Sequence, residues 1–133
     1  MTRLIPRPTS ETEYFWQGCL ENQLRFQHCP SCDQPQFPPR IRCHSCYKDS
    51  LVWRESTKRG TVYSSTTVMR GPNKAFQDAI PYVIALIDLE EGFRIMANIV
   101  NADSLPVEIG TPIEIIFESV ADQTALPQGK IIY

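Results

Sequence analysis

The sequence predicts a mostly β protein with a short N-terminal helix, a zinc ribbon and a C-terminal five-stranded barrel of the OB-fold type. Three observations predict it. Two Cys-x-x-Cys pairs, Cys29-Pro-Ser-Cys32 and Cys43-His-Ser-Cys46, are separated by a ten-residue spacer. Beyond Gly60 the apolar residues recur with period two, as on strands with one buried face. Helix signals are confined to one stretch near the start. The expected division is an arm and helix over 1–23, the ribbon over 24–57 and the barrel over 58–133.

Residues 1–9 hold two prolines and no periodicity, which predicts an extended arm. Ser10-Glu-Thr-Glu13 has the pattern of a capping box, and a helix should follow to about Asn22. Phe15 and Cys19, like Trp16 and Leu20, stand four residues apart. Tyr14, Phe15 and Trp16 either pack on the ribbon and barrel or face another protein. Packing is the expectation. Cys19 lies outside the ligand spacing and reads as a small buried hydrophobe.

A Cys-x-x-Cys turn aims both sulfurs at one point, and two facing turns supply the four thiolates of a closed tetrahedral site. Cys29, Cys32, Cys43 and Cys46 are the candidate ligands. The spacer contains Pro35, Pro38 and Pro39, which discourage helix between the knuckles. Redox dithiols or two disulfides are the alternative, and iron is the rival metal because it also accepts four sulfurs. A closed site has no open position for hydrolytic chemistry. His28 and His44 flank the ligands and read as partly exposed knuckle residues. Leu24–His28 should lead into the first knuckle and Leu51–Glu55 out of the second, with Trp53 a lid over the metal or a seam to the barrel.

Lys58-Arg59-Gly60 marks the junction. Thr61–Met69 reads as the first barrel strand, and 70–81 as a long loop with Gly71, Pro72 and Pro81. Tyr82–Leu89 is nearly continuous apolar sequence, which predicts burial on both faces. Glu90-Glu91-Gly92 makes the turn of the clearest hairpin, and Phe93, Ile95, Ala97 and Ile99 alternate after it. Asn101–Gly110 connects to a strand through Ile113, Ile115 and Phe117. Lys130–Tyr133 closes the barrel.

The chain is long enough, at 133 residues and 42% hydrophobic, for one modest core. No apolar run approaches the roughly 20 residues of a membrane span, no secretory signal series is present, and thiols kept for metal suit the cytoplasm. Net charge is −2. Residues 1–74 carry 11 Lys/Arg against 6 Asp/Glu, and residues 75–133 carry 2 against 9, so the halves stand at +5 and −7. The positive half could meet phosphates or be a solvated surface.

An ordered set of short motifs resembles a known family. They are Phe15-Trp16, Leu24, the first Cys-x-x-Cys, Gln36-Phe37-Pro38-Pro39-Arg40, the second Cys-x-x-Cys, Gly60-Thr61-Val62-Tyr63-Ser64, Pro81-Tyr82-Val83 and Ala97-Asn98-Ile99-Val100. Over about residues 10–128 the chain resembles the acyl-CoA-associated family built from a rubredoxin-like zinc ribbon and an OB-fold, often catalogued as a domain of unknown function. The resemblance implies a non-catalytic accessory subunit that binds a thiolase-like or aldolase-type enzyme, or a hydratase, and helps build its CoA site. Asp33 and Tyr47 stand where the family commonly has glycine after each knuckle. Asp tolerates a left-handed backbone better than most residues.

The residues themselves argue against self-contained catalysis. Both histidines sit at the knuckles, and no Gly-x-Ser-x-Gly elbow or phosphate-binding glycine loop is present. Glu90-Glu91 reads as a solvated turn. Under the CoA reading, Lys58, Arg59, Arg70 and Lys74 are the candidates for phosphates, and Phe76 with the 70–81 loop for the wall along pantetheine. The expected cofactors are structural Zn²⁺ and CoA or acyl-CoA shared with the partner. Two other readings compete. One is nucleic-acid binding, disfavoured by an acidic barrel with few strand aromatics. The other is electron transfer by an iron-bound ribbon.

Overall fold

A computed structural model describes residues 6–69, 82–102, 107–121 and 123–132. The expected 70–81 loop, with Arg70, Lys74 and Phe76, lies outside these residues, as does Tyr133.

Helix α1 spans Glu13–Leu20. Its N-cap is Thr12 with no side-chain cap bond, so the capping box at Ser10 does not form. The chain enters through a turn instead, in which the Thr9 carbonyl accepts from the amides of Thr12 at 3.1 Å and Glu13 at 2.8 Å. Asn22 adopts a left-handed φ of 60° and the Gln23 amide reaches back to the Gly18 carbonyl, a Schellman-type end. Phe15 and Cys19 are buried, as expected. Tyr14 is half exposed, with the Arg25 guanidinium 4.0 Å from its ring centre.

The ribbon is a three-stranded antiparallel sheet of β1 (Arg25–Cys29), β2 (Gln34–Gln36) and β3 (Val52–Glu55), ordered β2-β1-β3. The barrel comprises β4 (Arg59–Val68), β5 (Tyr82–Leu89), β6 (Arg94–Ile99), β7 (Pro112–Ala121) and β8 (Thr124–Ile131). It closes in the order β4-β5-β6-β8-β7, with β7 pairing back onto β4. Closure gives each barrel strand a neighbour on both sides, although β6 and β8 meet through one parallel pair, Ile99 with Gly129. The last strand begins earlier than Lys130, because Ala125 to Ile131 pair along β7 from Ser119 to Ile113.

Ribbon and barrel share one core. Phe15, Cys19, Leu24 and Phe26 pack into the same apolar cluster as Val62, Ile87, Ile95, Ile113 and Ile115. Phe26 stacks on Phe93 at 4.6 Å between ring centres, and that pair carries the contact across the seam. Trp53 takes the seam role, half-buried against this cluster and 5.0 Å from the Tyr14 ring. Burial along β5 alternates strictly, correcting the expectation of two buried faces. Val83, Ala85, Ile87 and Leu89 enter the core, while the alternate residues are only partly covered on the outside.

A polar clasp also crosses the junction. Glu91 accepts from the Ser56 hydroxyl and from the Thr57 amide, both at 2.7 Å, and Glu90 accepts from the Thr57 hydroxyl at 3.2 Å. The solvated-turn reading holds for exposed Glu90 and is corrected for Glu91, which is partly covered. The hairpin turn folds against the ribbon's exit strand, which brings the carboxylates to donors 33 to 35 residues away. Glu91→Ala removes the acceptor of the buried Ser56 hydroxyl, whose oxygen keeps only the Lys58 amide, so it should cost about 1 kcal/mol in urea unfolding. An unchanged midpoint would show that the clasp adds nothing.

Candidate metal centre

Each knuckle is built alike. The Asp33 amide donates to the Cys29 carbonyl at 2.7 Å, and the Tyr47 amide to the Cys43 carbonyl at 2.9 Å. Asp33 and Tyr47 both adopt the left-handed region, with φ of 59° and 64°, a conformation that glycine takes most easily. The Tyr47 side chain points into solvent, where nothing crowds it. This turn folds each second cysteine back toward the first.

The four sulfurs converge, all within 4.8 Å of one another. Cys29 Sγ lies 3.5 Å from Cys46 Sγ, and Cys32 Sγ lies 3.6 Å from Cys43 Sγ. Those separations approach the edge of about 3.8 Å in a tetrahedron whose corners lie about 2.3 Å from a central Zn²⁺. All five cysteines are free thiols rather than disulfides. Among the described residues, neither histidine joins the ligand cluster.

Backbone amides polarise the first sulfur of each knuckle. The Cys46 and Ser45 amides point at Cys43 Sγ from 3.5 and 3.3 Å and pull that thiol down to about 6. Cys29 is lowered in the same way, chiefly by the Cys32 amide. Cys32 is pushed up to about 12 by burial and then by the neighbouring Cys43 sulfur. For Cys46 the Lys48 amide pulls the thiol down, but burial and the Cys29 and Cys43 sulfurs together outweigh it and raise it. The first sulfur of each knuckle is thus the more readily ionised, and an arriving cation displaces the protons that remain.

A second layer of contacts holds the spacer, and no local sequence pattern announces it. Gln27 and Gln36 are buried opposite each other on β1 and β2. Gln27 accepts from the Arg40 amide and donates to the Arg40 carbonyl, both at 2.8 Å. Gln36 Oε1 accepts from the His44 amide and from its Nδ1, both at 2.7 Å, while its amide group donates to the Arg42 carbonyl at 3.1 Å. His44 is exposed, as expected. His28 is not. It is buried in the central strand, with Nε2 2.9 Å from Asp33 Oδ1, because β1 is covered along its whole length.

Lys58 and Arg59 stand at the junction, remote in role from the sulfurs. The Lys58 ammonium donates to the Asn22 carbonyl at the end of α1, at 3.0 Å. Arg59 is exposed at the start of β4. Arg70, Lys74 and Phe76 lie outside the described residues, so the candidate phosphate group is only partly in view.

Known proteins match this architecture along the chain. Residues 16–52 match the family model described as the ChsH2 rubredoxin-like zinc ribbon domain, and residues 53–118 match the ChsH2 C-terminal OB-fold domain. A DUF35 domain-containing scaffold protein of Methanothermobacter thermautotrophicus is 35% identical over 116 residues, 86% of each chain. A probable enoyl-CoA hydratase alpha subunit of Thermomonospora curvata is 29% identical over 93% of this chain, which spans only 39% of that subunit. A benzoylsuccinyl-CoA thiolase subunit, BbsA, of Geobacter metallireducens is 29% identical over 57% of this chain and 49% of its own. The solved Ltp2-ChsH2(DUF35) aldolase superposes with a TM-score of 0.83 at 27% identity, covering 95% of this chain and 98% of that chain. On this sequence and structural agreement, the chain belongs to the ChsH2 (DUF35) family of paired rubredoxin-like zinc ribbon and OB-fold domains.

Proposed function

We propose that this chain is the non-catalytic, zinc-holding subunit of an acyl-CoA enzyme, docking on a thiolase-like or aldolase-type subunit and helping to form its CoA site. The observation that carries the reading is the match, along nearly the full length of both chains, to the Ltp2-ChsH2(DUF35) aldolase. The relatives named as a scaffold protein and as a thiolase subunit support the same role. The chemistry of the donor set agrees. Four converging sulfurs would hold Zn²⁺ with no position left for substrate, so the ion would supply folding free energy rather than Lewis acidity.

Among the described residues, both histidines and the junction glutamate already have partners. His28 faces Asp33, His44 faces Gln36, and Glu91 holds the junction. Reaction chemistry would then come from the partner, with this chain providing cations for the nucleotide end of CoA. Of the described candidates, exposed Arg59 is the better placed, since Lys58 would first have to leave the Asn22 carbonyl. Arg70, Lys74 and Phe76 complete the proposed set, in a reducing, cytoplasmic setting.

The test is reconstitution. The chain alone should turn over no acyl-CoA ester, and activity should appear when it is co-expressed with a thiolase-like or aldolase-type subunit from its own host. Turnover by the isolated chain would overturn the reading. So would a partner enzyme that neither binds the chain nor gains activity from it.

A further inference from the structure

We infer that the flank of β6 turned away from β5 is a docking edge, and that an extended segment of the catalytic partner adds to it as a further strand. This deepens the accessory-subunit reading by naming how the partner is held, and rests on that reading for the source of the segment. The pairing of β6 shows which main-chain groups can do this. The Leu89 amide donates to the Phe93 carbonyl at 2.9 Å, and the register then makes Ile95–Ile87, Ala97–Ala85 and Ile99–Val83 the hydrogen-bonded pairs. Arg94 and Met96 alternate with them, so their N–H and C=O groups turn to the opposite flank. Among the described residues, the strand on that flank is β8, and the two pair only at Ile99–Gly129.

A proline ends that pairing. The Gly129 carbonyl accepts from the Val100 amide at 2.8 Å and the Ile131 amide donates to Asn101 Oδ1 at 2.7 Å, so the odd-numbered residues of β8 face β6. The next of them is Pro127, which has no N–H to offer the Met96 carbonyl. The edge of β8 is thereby blunted. The edge of β6 carries no proline, and its one charge, Arg94, is tied to Asp88 at 2.6 Å. Main-chain donors and acceptors that repeat every two residues are matched by another extended chain, so the edge itself specifies the occupant. Room for that chain is present. Met96 and Pro127 line one groove of about 600 Å³ with Trp16, Phe37 and Pro38, and Met96 is 66% exposed. The groove takes every second side chain of the added strand, which favours an alternating segment with one apolar face.

The experiment uses the full chain and a fluorescein-labelled Thr-Val-Thr-Val-Thr-Val peptide. In the chain alone, the Arg94 and Met96 amides should exchange hydrogen fast and the Ile95 and Ala97 amides slowly. The peptide should bind saturably with one site per chain and slow exchange at Arg94 and Met96 about tenfold or more. N-methylating either its valines or its threonines separates main-chain pairing from apolar contact. One set should weaken binding about tenfold or more and the other leave it unchanged, because alternate amides of an added strand face β6. Slow exchange at Arg94 and Met96 in the free chain, absence of saturable binding, or equal effects of the two methylated sets would each overturn the inference. A concentration-dependent dimer that protects the same amides would overturn it too, by giving the edge to a second copy. Failure here is separable from failure of the wider reading. A chain that activates its partner with both amides still exchanging fast loses only the edge, while one that binds the peptide but activates no enzyme loses only the partnership.

Discussion

Cys43→Ser is expected to leave the chain insoluble, or soluble with no stoichiometric metal and no fixed near-ultraviolet circular dichroism. Cys43 is 1% exposed and its sulfur receives two amides, which favour the thiolate that a metal needs. A serine hydroxyl stays protonated at neutral pH and is a poor, hard substitute for a soft sulfur ligand. Structural zinc supplies on the order of 10 kcal/mol in ribbons of this kind, about the whole stability of a small domain. Because β1 and the knuckles share the barrel's core, the damage should not stay local. Cys19 provides the contrast. It is also 1% exposed, with a thiol pushed up to about 12 chiefly by burial, but it sits in α1 away from the sulfur cluster. Cys19→Ala should keep one metal per chain and cost about 2 kcal/mol, an ordinary cavity penalty. Metal counting on purified protein decides both. Wild-type protein should be colourless with one zinc; a red chain with one iron would move the ribbon to electron transfer. A folded, metal-free Cys43→Ser chain with wild-type stability would remove the structural role of the site.

Metal spacing is legible because the chemistry is local: two short turns fix four sulfurs whatever surrounds them. The alternation of Phe93, Ile95, Ala97 and Ile99 is legible for a similar reason, since one hairpin decides which face is buried. One reading failed to a local competitor, and the others failed where a distant contact decided the outcome. The Ser10 capping box lost to a turn closed on the Thr9 carbonyl. Glu91 looked solvated until the barrel placed its turn beside Ser56 and Thr57. Gln27 and Gln36 meet only through the register of β1 and β2, which nothing in either segment announces. The continuous apolar run of β5 was misread for a physical reason. One face fills the barrel, and the other lines a groove that is open in the isolated chain. Sequence could report that both faces are apolar, but not that the second is covered only in part.

Gly60→Ala should be the most damaging single methyl that can be added to the barrel. Gly60 lies where β4 runs between two partners, paired with Leu89 on β5 and Ile113 on β7. A Cβ there would stand 2.2 Å from the Asp88 carbonyl oxygen and 2.9 Å from its carbon. Both are backbone atoms of a paired strand, so no side chain can turn aside to relieve the clash. The β4–β5 ladder must open at the point where the ribbon joins the barrel, beside the Glu90 amide bond to the Arg59 carbonyl. Overpacking of this kind costs about 3 kcal/mol, which corresponds to a fall of about 10 °C in Tm. Gly129 separates the steric cause from the general loss of a glycine. Its added Cβ would approach Ile99 Cδ1 at 2.8 Å and Ile87 Cδ1 at 3.1 Å, side-chain ends that can rotate. Gly129→Ala should therefore cost less than Gly60→Ala. Gly110 isolates the other cause: a Cβ there meets nothing within 4 Å, but its φ of 89° penalises any side chain. Gly110→Ala should cost about 1 kcal/mol from backbone strain alone. Thermal unfolding of the three variants should rank Gly60→Ala as least stable by a clear margin. A Gly60→Ala chain no less stable than Gly110→Ala would mean that β4 does not pass as close to Asp88 as the barrel requires.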